Sequence, residues 1–235
     1  MLTRRCPHIG TQNDELRNTG GIPPTSSDRK IQRMKNNQMT KNKLKGCPVN
    51  PGAPLRAAPV ACVGMASELA RPPLQADERT ALIGWLDLQR QILRWKCEGL
   101  NGDDAYRSVI PTSPAMTMAG LISHMRWTEH TWLEVLFLGG DEKRNPSFDE
   151  SCEDADWHTE GRPVAELIAE YEAQCARSNA IVAAASLDDV GRHPGFSSGS
   201  ANLRWMLIHL IEETGRHAGH ADIVRELLDG TKGYY

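Results

Sequence analysis

Between residues 77 and 230, apolar residues recur at three- and four-residue intervals in four long stretches, and no stretch alternates apolar and polar residues as a half-buried strand would. The first stretch runs from about Asp77 to Glu98. It carries Leu82, Ile83, Trp85, Leu86, Leu88, Ile92, Leu93 and Trp95, and Gly99 follows its end. The second runs from about Thr117 to Leu138 and stops at Gly139-Gly140. The third has Pro163 in its first turn, where a missing N–H goes unnoticed, and continues to about Ala185. The fourth starts near Asn202, a good N-terminal cap, and ends at Gly230, a good C-terminal stop. Residues 99–116 and 139–162 make long connections, and residues 186–201 make one rich in Gly and Ser. The pattern predicts an all-α fold, a four-helix bundle whose topology need not be simple up-and-down. Bundles of this kind build their sites from side chains that project inward between helices.

The charge distribution changes the picture at the N-terminus. Residues 1–71 hold twelve Lys or Arg against four acids, whereas residues 72–235 hold fifteen against twenty-six, so the net charge of −3 combines a tail at +8 with a body at −11. All thirteen aromatic residues lie after residue 71. Such a segment buries too little apolar surface to offset its ordering entropy. Residues 1–71 are therefore expected to be a disordered basic tail outside the domain of residues 72–235, with Met65 as an alternative start. The basic run "RKIQRMKNNQMTKNKLK" has no aromatic residue on which a base could stack, and no nucleic-acid partner is expected. No apolar run approaches the roughly 20 residues needed to span a bilayer, so no membrane partner is expected either. The N-terminus has no apolar core of a secretion signal, which points to the cytoplasm. The six cysteines form no CxxC pair, three of them (Cys6, Cys47, Cys62) fall in the tail, and the set reads as reduced thiols. Cys97, in the first helix, is read as a structural thiol, since no histidine pairs with it in sequence.

The candidate chemistry lies in the fourth helix, in "HLIEETGRHAGH" at residues 209–220. At 100° per residue from Leu203, the residues Leu207, Leu210, Ile211, Thr214, Ala221 and Leu228 cluster within about 80°. Glu213 falls near 280° and His217 near 320°, roughly at the boundary of that apolar stripe. His209 and His220 fall further round, near about 240° and 260°, and Glu212 points away at about 180°. A carboxylate and an imidazole four residues apart on an inward face can share a hydrogen bond or grip one cation. A third ligand must then come from another helix. His124, one turn from Leu121 and Thr128 in the second helix, is the best placed, with His130 in the same helix as the alternative; His158 and His193 fall in expected loops.

Three segments carry a family resemblance: "LRWKCEGL" ending the first helix, "GLISHMRWTEHTW" in the second, and "LRWMLIHLIEETGRHAGHADIVREL" in the fourth. From about Pro72 to Gly230 the chain resembles the DinB/YfiT-like superfamily, most closely its branch of mini-circle-protein-like domains of unknown function. The resemblance implies an up-down-down-up four-helix bundle holding a divalent metal, zinc or nickel, on three side chains. In many members these are one histidine from the second helix and a His-x-x-x-His pair from the last; in thiol-dependent maleylpyruvate isomerases the first of that pair is glutamate. Carried over, the triad is His124, Glu213 and His217. The resemblance also implies a transferase or isomerase acting on a small electrophile with a low-molecular-weight thiol such as mycothiol, as a homodimer. His220 and His209 are candidate supporting or proton-transfer groups, set against a plain solvated helix face. Arg126, Trp127, Arg204 and Trp205 are read as packing or ion-pairing residues. A non-catalytic metal-binding or dimerising stress-response bundle and a metallohydrolase are the alternative functions.

Overall fold

The computed structural model describes residues 69–233 apart from 101, 150, 160 and 195–200. The bulk of the expected tail, residues 1–68, and the alternative start at Met65 lie outside the described residues. The end of that tail belongs to the folded body: Leu69 packs against Leu88, Ile92 and Ala218, and the Ala70 amide donates to Gln91 Oε1 at 3.2 Å.

Four long helices form the domain. Helix α1 spans Glu78–Cys97, α2 spans Met118–Glu129, α3 spans Val164–Ala184 and α4 spans Leu203–Asp229. Their ends sit where local chemistry puts them. Asp77 caps α1 by accepting from the Thr80 amide at 3.0 Å, and Thr117 caps α2 by accepting from the Gly120 amide at 2.9 Å. Asn202 caps α4 by accepting from the Trp205 amide at 3.0 Å, and Gly230 closes that helix at φ 80°, a left-handed conformation that glycine adopts without steric cost. The second helix departs from its expected form. It was expected to be α-helical to Leu138, but after Glu129 the chain continues as a π-helical segment, His130–Phe137. Hydrogen bonds there reach one residue further back, as from the Leu138 amide to the Leu133 carbonyl at 3.2 Å. Six of its eight residues are buried, so the apolar pattern reads as continuous helix and carries no mark of the wider winding.

Polar contacts fix the helix directions. Glu78 pairs with Arg204 at 2.5 Å near the start of α1, and Lys96 pairs with Asp222 at 2.8 Å near its end, so α1 and α4 run parallel. Arg79 donates to the Val182 and Ala185 carbonyls at 2.7 Å each, while Arg94 meets Glu172 at 2.9 Å, so α3 runs against α1. Arg126 meets Glu170 and Glu134 meets Gln174, both at 2.9 Å, so α2 and α3 run parallel. The topology is up-down-down-up. The described residues form no strand beyond an isolated antiparallel bridge between Val190 and Asn202, and none of their helices is long and apolar enough to cross a membrane.

The core is divided. One apolar cluster gathers Leu86, Trp132, Leu133, Leu136, Val182, Met206, Leu207 and Leu210 at one end. Another gathers Leu93, Leu121, Ile122, Met125, Leu167, Tyr171, Ala221 and Val224 at the other. Between them each helix turns a polar side chain inward: Arg90 from α1, His124 and Glu129 from α2, Gln174 and Ser178 from α3, Glu213 and His217 from α4. Arg90 grips Glu129 through two parallel bonds, Nε to Oε1 and Nη2 to Oε2, each 2.7 Å. Its Nη1 donates to Asp87 Oδ1 and Asn179 Oδ1, so one guanidinium ties α1, α2 and α3.

Removing one member of a buried ion pair strands the other charge in a weakly screening interior. Glu129→Ala is expected to destabilise the domain by about 3–5 kcal/mol, measured by urea denaturation. The double substitution Arg90→Met with Glu129→Leu is expected to recover most of that loss, because no charge is then left buried.

Candidate metal centre

Residues four apart on a helix lie one turn apart on the same face. On α4 this places Glu213 and His217 together against α2, at 7% and 2% exposure. Running antiparallel to α4, α2 brings His124 across from them. His217 Nε2 stands 3.6 Å from Glu213 Oε1, and His124 Nε2 stands 3.9 Å from the same oxygen. One ligand atom from each of the three residues lies within 4.8 Å of the other two. Among the described residues no other group of histidine, cysteine or acidic side chains converges in this way.

The outer nitrogens explain why both Nε2 atoms face inward. His124 Nδ1 lies 2.6 Å from Asp156 Oδ2, a bond that holds a proton on Nδ1 and turns Nε2 toward the site. His217 Nδ1 lies 3.3 Å from His220 Nδ1. His217 Nε2 is buried without any hydrogen-bond partner, a costly condition unless something else occupies its lone pair. Two imidazole nitrogens and a carboxylate oxygen are a donor set that suits a borderline divalent cation, and three protein ligands leave a coordination position open. The three residues could hold such a cation. Arg216 reaches the outer oxygen of Glu213 at 3.4 Å and also pairs with Glu212, which faces solvent as expected.

One side of the group is walled by Trp157. Its ring stacks on His124 at 4.2 Å between centroids and 18° between planes, and meets His217 edge-on at 5.5 Å. Asp156 and Trp157 come from the short turn Ala155–Trp157 in the long connection between α2 and α3. Nothing in the sequence of that connection marks it for a role at the site. Its acids look like a solvated loop, and only the fold shows that one of them, Asp156, is 5% exposed against a histidine.

The other candidates separate. His130 is not brought to the group; Asn145 Nδ2 lies 3.2 Å from its Nδ1, and its Nε2 faces Glu134 Oε2 at 3.8 Å. His209 sits between Trp132, at 4.3 Å, and Trp205, stacked at 5.5 Å. His193 faces Glu142 at 3.6 Å, and His158 is exposed. Arg126 lies 3.9 Å over the Trp127 ring, and Arg204 pairs with Glu78 and Asp188, the packing and ion-pairing roles expected of them. Cys97 is buried, and burial pushes its thiol up to about 12, which leaves it inert as a nucleophile near neutral pH.

Protonation follows from the same contacts. Burial opposes charge on His124, but the hydrogen bonds to Asp156 and Glu213 outweigh it, and the imidazole is pushed up from 6.5 to about 9. His217 moves the other way: burial depresses it, and the nearby charge on His124 adds to that against the pull of Glu213. His220 is also depressed, first by burial and then by Arg216. The metal-free site thus carries its proton on His124, between two carboxylates.

A family model described as Mycothiol-S-transferase matches residues 81–230, which include α2, α3, α4, all of α1 but its first three residues, and every residue of this group. No curated protein matches the chain.

Because His124 binds its proton more tightly folded than unfolded, its contribution to stability is complete below pH 6.5 and disappears as pH rises through about 9. In excess chelator the domain is expected to lose stability over that interval, on the order of 1–3 kcal/mol. His124→Gln should flatten the slope; urea midpoints collected across the pH range provide the check.

Proposed function

The chain belongs to the mycothiol-S-transferase family, and we propose on that footing that it joins a low-molecular-weight thiol, mycothiol, to a small electrophile at a divalent cation held by His124 Nε2, Glu213 and His217 Nε2. The observation that carries this reading is the convergence of three buried donors, one of them the partnerless His217 Nε2. The donor set suits zinc, with nickel as the alternative.

Each residue has a part. His124 and His217 present neutral nitrogens, and Glu213 supplies the charge that favours a cation over a proton. When bound, the cation supplies Lewis acidity, lowering the pKa of a thiol at the open position so that its sulfur is nucleophilic near neutral pH. The thiol proton would leave to solvent, and the sulfur would bond to the electrophilic carbon as that carbon releases a leaving group with its bonding pair (bromide from monobromobimane) or passes a π pair to the adjacent atom. Trp157 would keep water from one flank, while Arg216, bonded to Glu213, and half-buried His220, against His217, lie beside the group. Pairing of two copies is supported by Ile208, Ile223 and Leu227, three exposed apolar side chains within about 100° on one side of α4. A cytoplasmic setting agrees with Cys97, Cys152 and Cys175, which form no disulfide.

The purified protein is expected to carry one equivalent of zinc or nickel per chain by elemental analysis and to conjugate mycothiol to a reporter such as monobromobimane. Glu213→Ala should lose the metal and at least about 100-fold in conjugation rate. Wild type without stoichiometric metal would sink the proposal. Metal uptake with no conjugation of any thiol would leave a non-catalytic metal-binding bundle in its place.

A further inference from the structure

We propose that Asp156 is a positioning residue for His124, and that through it the connection between α2 and α3 is a built part of the metal centre. This rests on the metal reading above. A carboxylate is rarely buried without a partner that repays its lost hydration. In this connection Asp149, Glu153 and Asp154 are exposed, while Asp156 alone of these four is driven under the surface. Its carboxylate lies against one imidazole nitrogen, His124 Nδ1, at 2.6 Å.

Several independent features hold the turn in place. Ser123 Oγ, one residue before His124, donates to the Asp156 carbonyl at 2.6 Å. Gly120, one turn earlier on α2, gives the turn room. A Cβ there would stand 3.3 Å from the Trp157 carbonyl oxygen and 2.4 Å from that of Ala115. The Trp157 ring then lies flat on His124. Asp154 enters the turn at φ 57°, a left-handed conformation that a non-glycine residue keeps only when its surroundings over-determine it. Backbone, hydroxyl, ring and carboxylate all converge on the one imidazole that α4 does not supply.

The consequence is chemical. An acceptor at Nδ1 keeps the proton there, aims Nε2 at Glu213 and His217, and makes the nitrogen a better donor to a cation. The two histidines are therefore unequal. His217 is backed by another imidazole and His124 by a carboxylate, so His124 is the one whose aim depends on a segment outside the helices.

The test measures zinc affinity by competition with a chelating dye, for wild type, Asp156→Leu, Asp156→Asn and Ser123→Ala. Asp156→Leu keeps the branched shape and removes the acceptor; it should weaken zinc by about 10–100-fold. Asp156→Asn keeps an acceptor without its charge and should weaken zinc by less, about threefold to tenfold. Ser123→Ala loosens the turn but leaves the imidazole contact, and should change affinity by no more than about threefold. Two further readouts do not depend on activity. Histidine ¹⁵N spectra of the zinc-free protein should show a slowly exchanging proton on His124 Nδ1 in wild type and Asp156→Asn, and that proton exchanging rapidly with solvent in Asp156→Leu. Zinc should also slow tryptic cleavage after Lys143 and Arg144 in wild type and not in Asp156→Leu. If Asp156→Leu does not fold, Asp156→Asn carries the affinity test. Wild type that takes up no zinc removes the metal reading and this inference with it. Wild-type zinc uptake with unchanged affinity in the Asp156 variants removes this inference alone, as does a Ser123→Ala loss equal to that of Asp156→Leu.

Discussion

A four-helix bundle can carry a polar layer across the middle of its core only if the members of that layer meet one another, and this condition organises the whole molecule. Arg90 and Glu129 satisfy it by mutual saturation, two parallel charge-assisted bonds in which neither charge faces a purely apolar wall. His124, Glu213 and His217 satisfy it differently. They meet around a point rather than bonding directly, and one nitrogen is left over. The same layer therefore holds a closed half that locks α1, α2 and α3, and an open half between α2 and α4. The apolar clusters above and below hold both halves at fixed height.

That division bears on what the family chemistry needs. On the proposed reading, thiol transfer here would use a cation that keeps a vacant position, with neighbours that neither fill the vacancy nor flood it with water. Trp157 covers one flank without offering a ligand atom, and His220 is engaged with His217 rather than with the centre. The rigid half of the layer ties α2, which carries His124, to α1 and α3. Glu129 is five residues beyond His124 on the same helix, so the grip of Arg90 on Glu129 also sets where His124 can stand.

The helices and much of the site were legible because their causes are local. Asp77, Thr117, Asn202 and Gly230 each act on backbone a few residues away, and four of the eight ends of the long helices follow from them. The Glu213–His217 pair was legible for the same reason, since one helical turn fixes their relation. Features set by contact across the fold were not. His209 and His220 differ by only about 20° on the helix wheel, yet one lies among tryptophans and the other against His217. Trp132, which claims His209, belongs to the π-helical segment, and nothing in the apolar pattern announces that segment. Asp156 was invisible for a simpler reason: 32 residues separate it from His124, and nothing local distinguishes it from the acids around it.

The proton on His124 has a consequence for the order of events in the protein's life. Many small metal domains are unfolded without their ion, because the ligands repel one another or lie bare until it arrives. Here an imidazolium sits between Asp156 and Glu213, so the cluster is already charge-compensated by a group the chain carries itself. On the proposed metal reading, a cation entering the finished bundle would trade places with that proton, and the native architecture would be the scaffold that receives the ion rather than a product of its arrival.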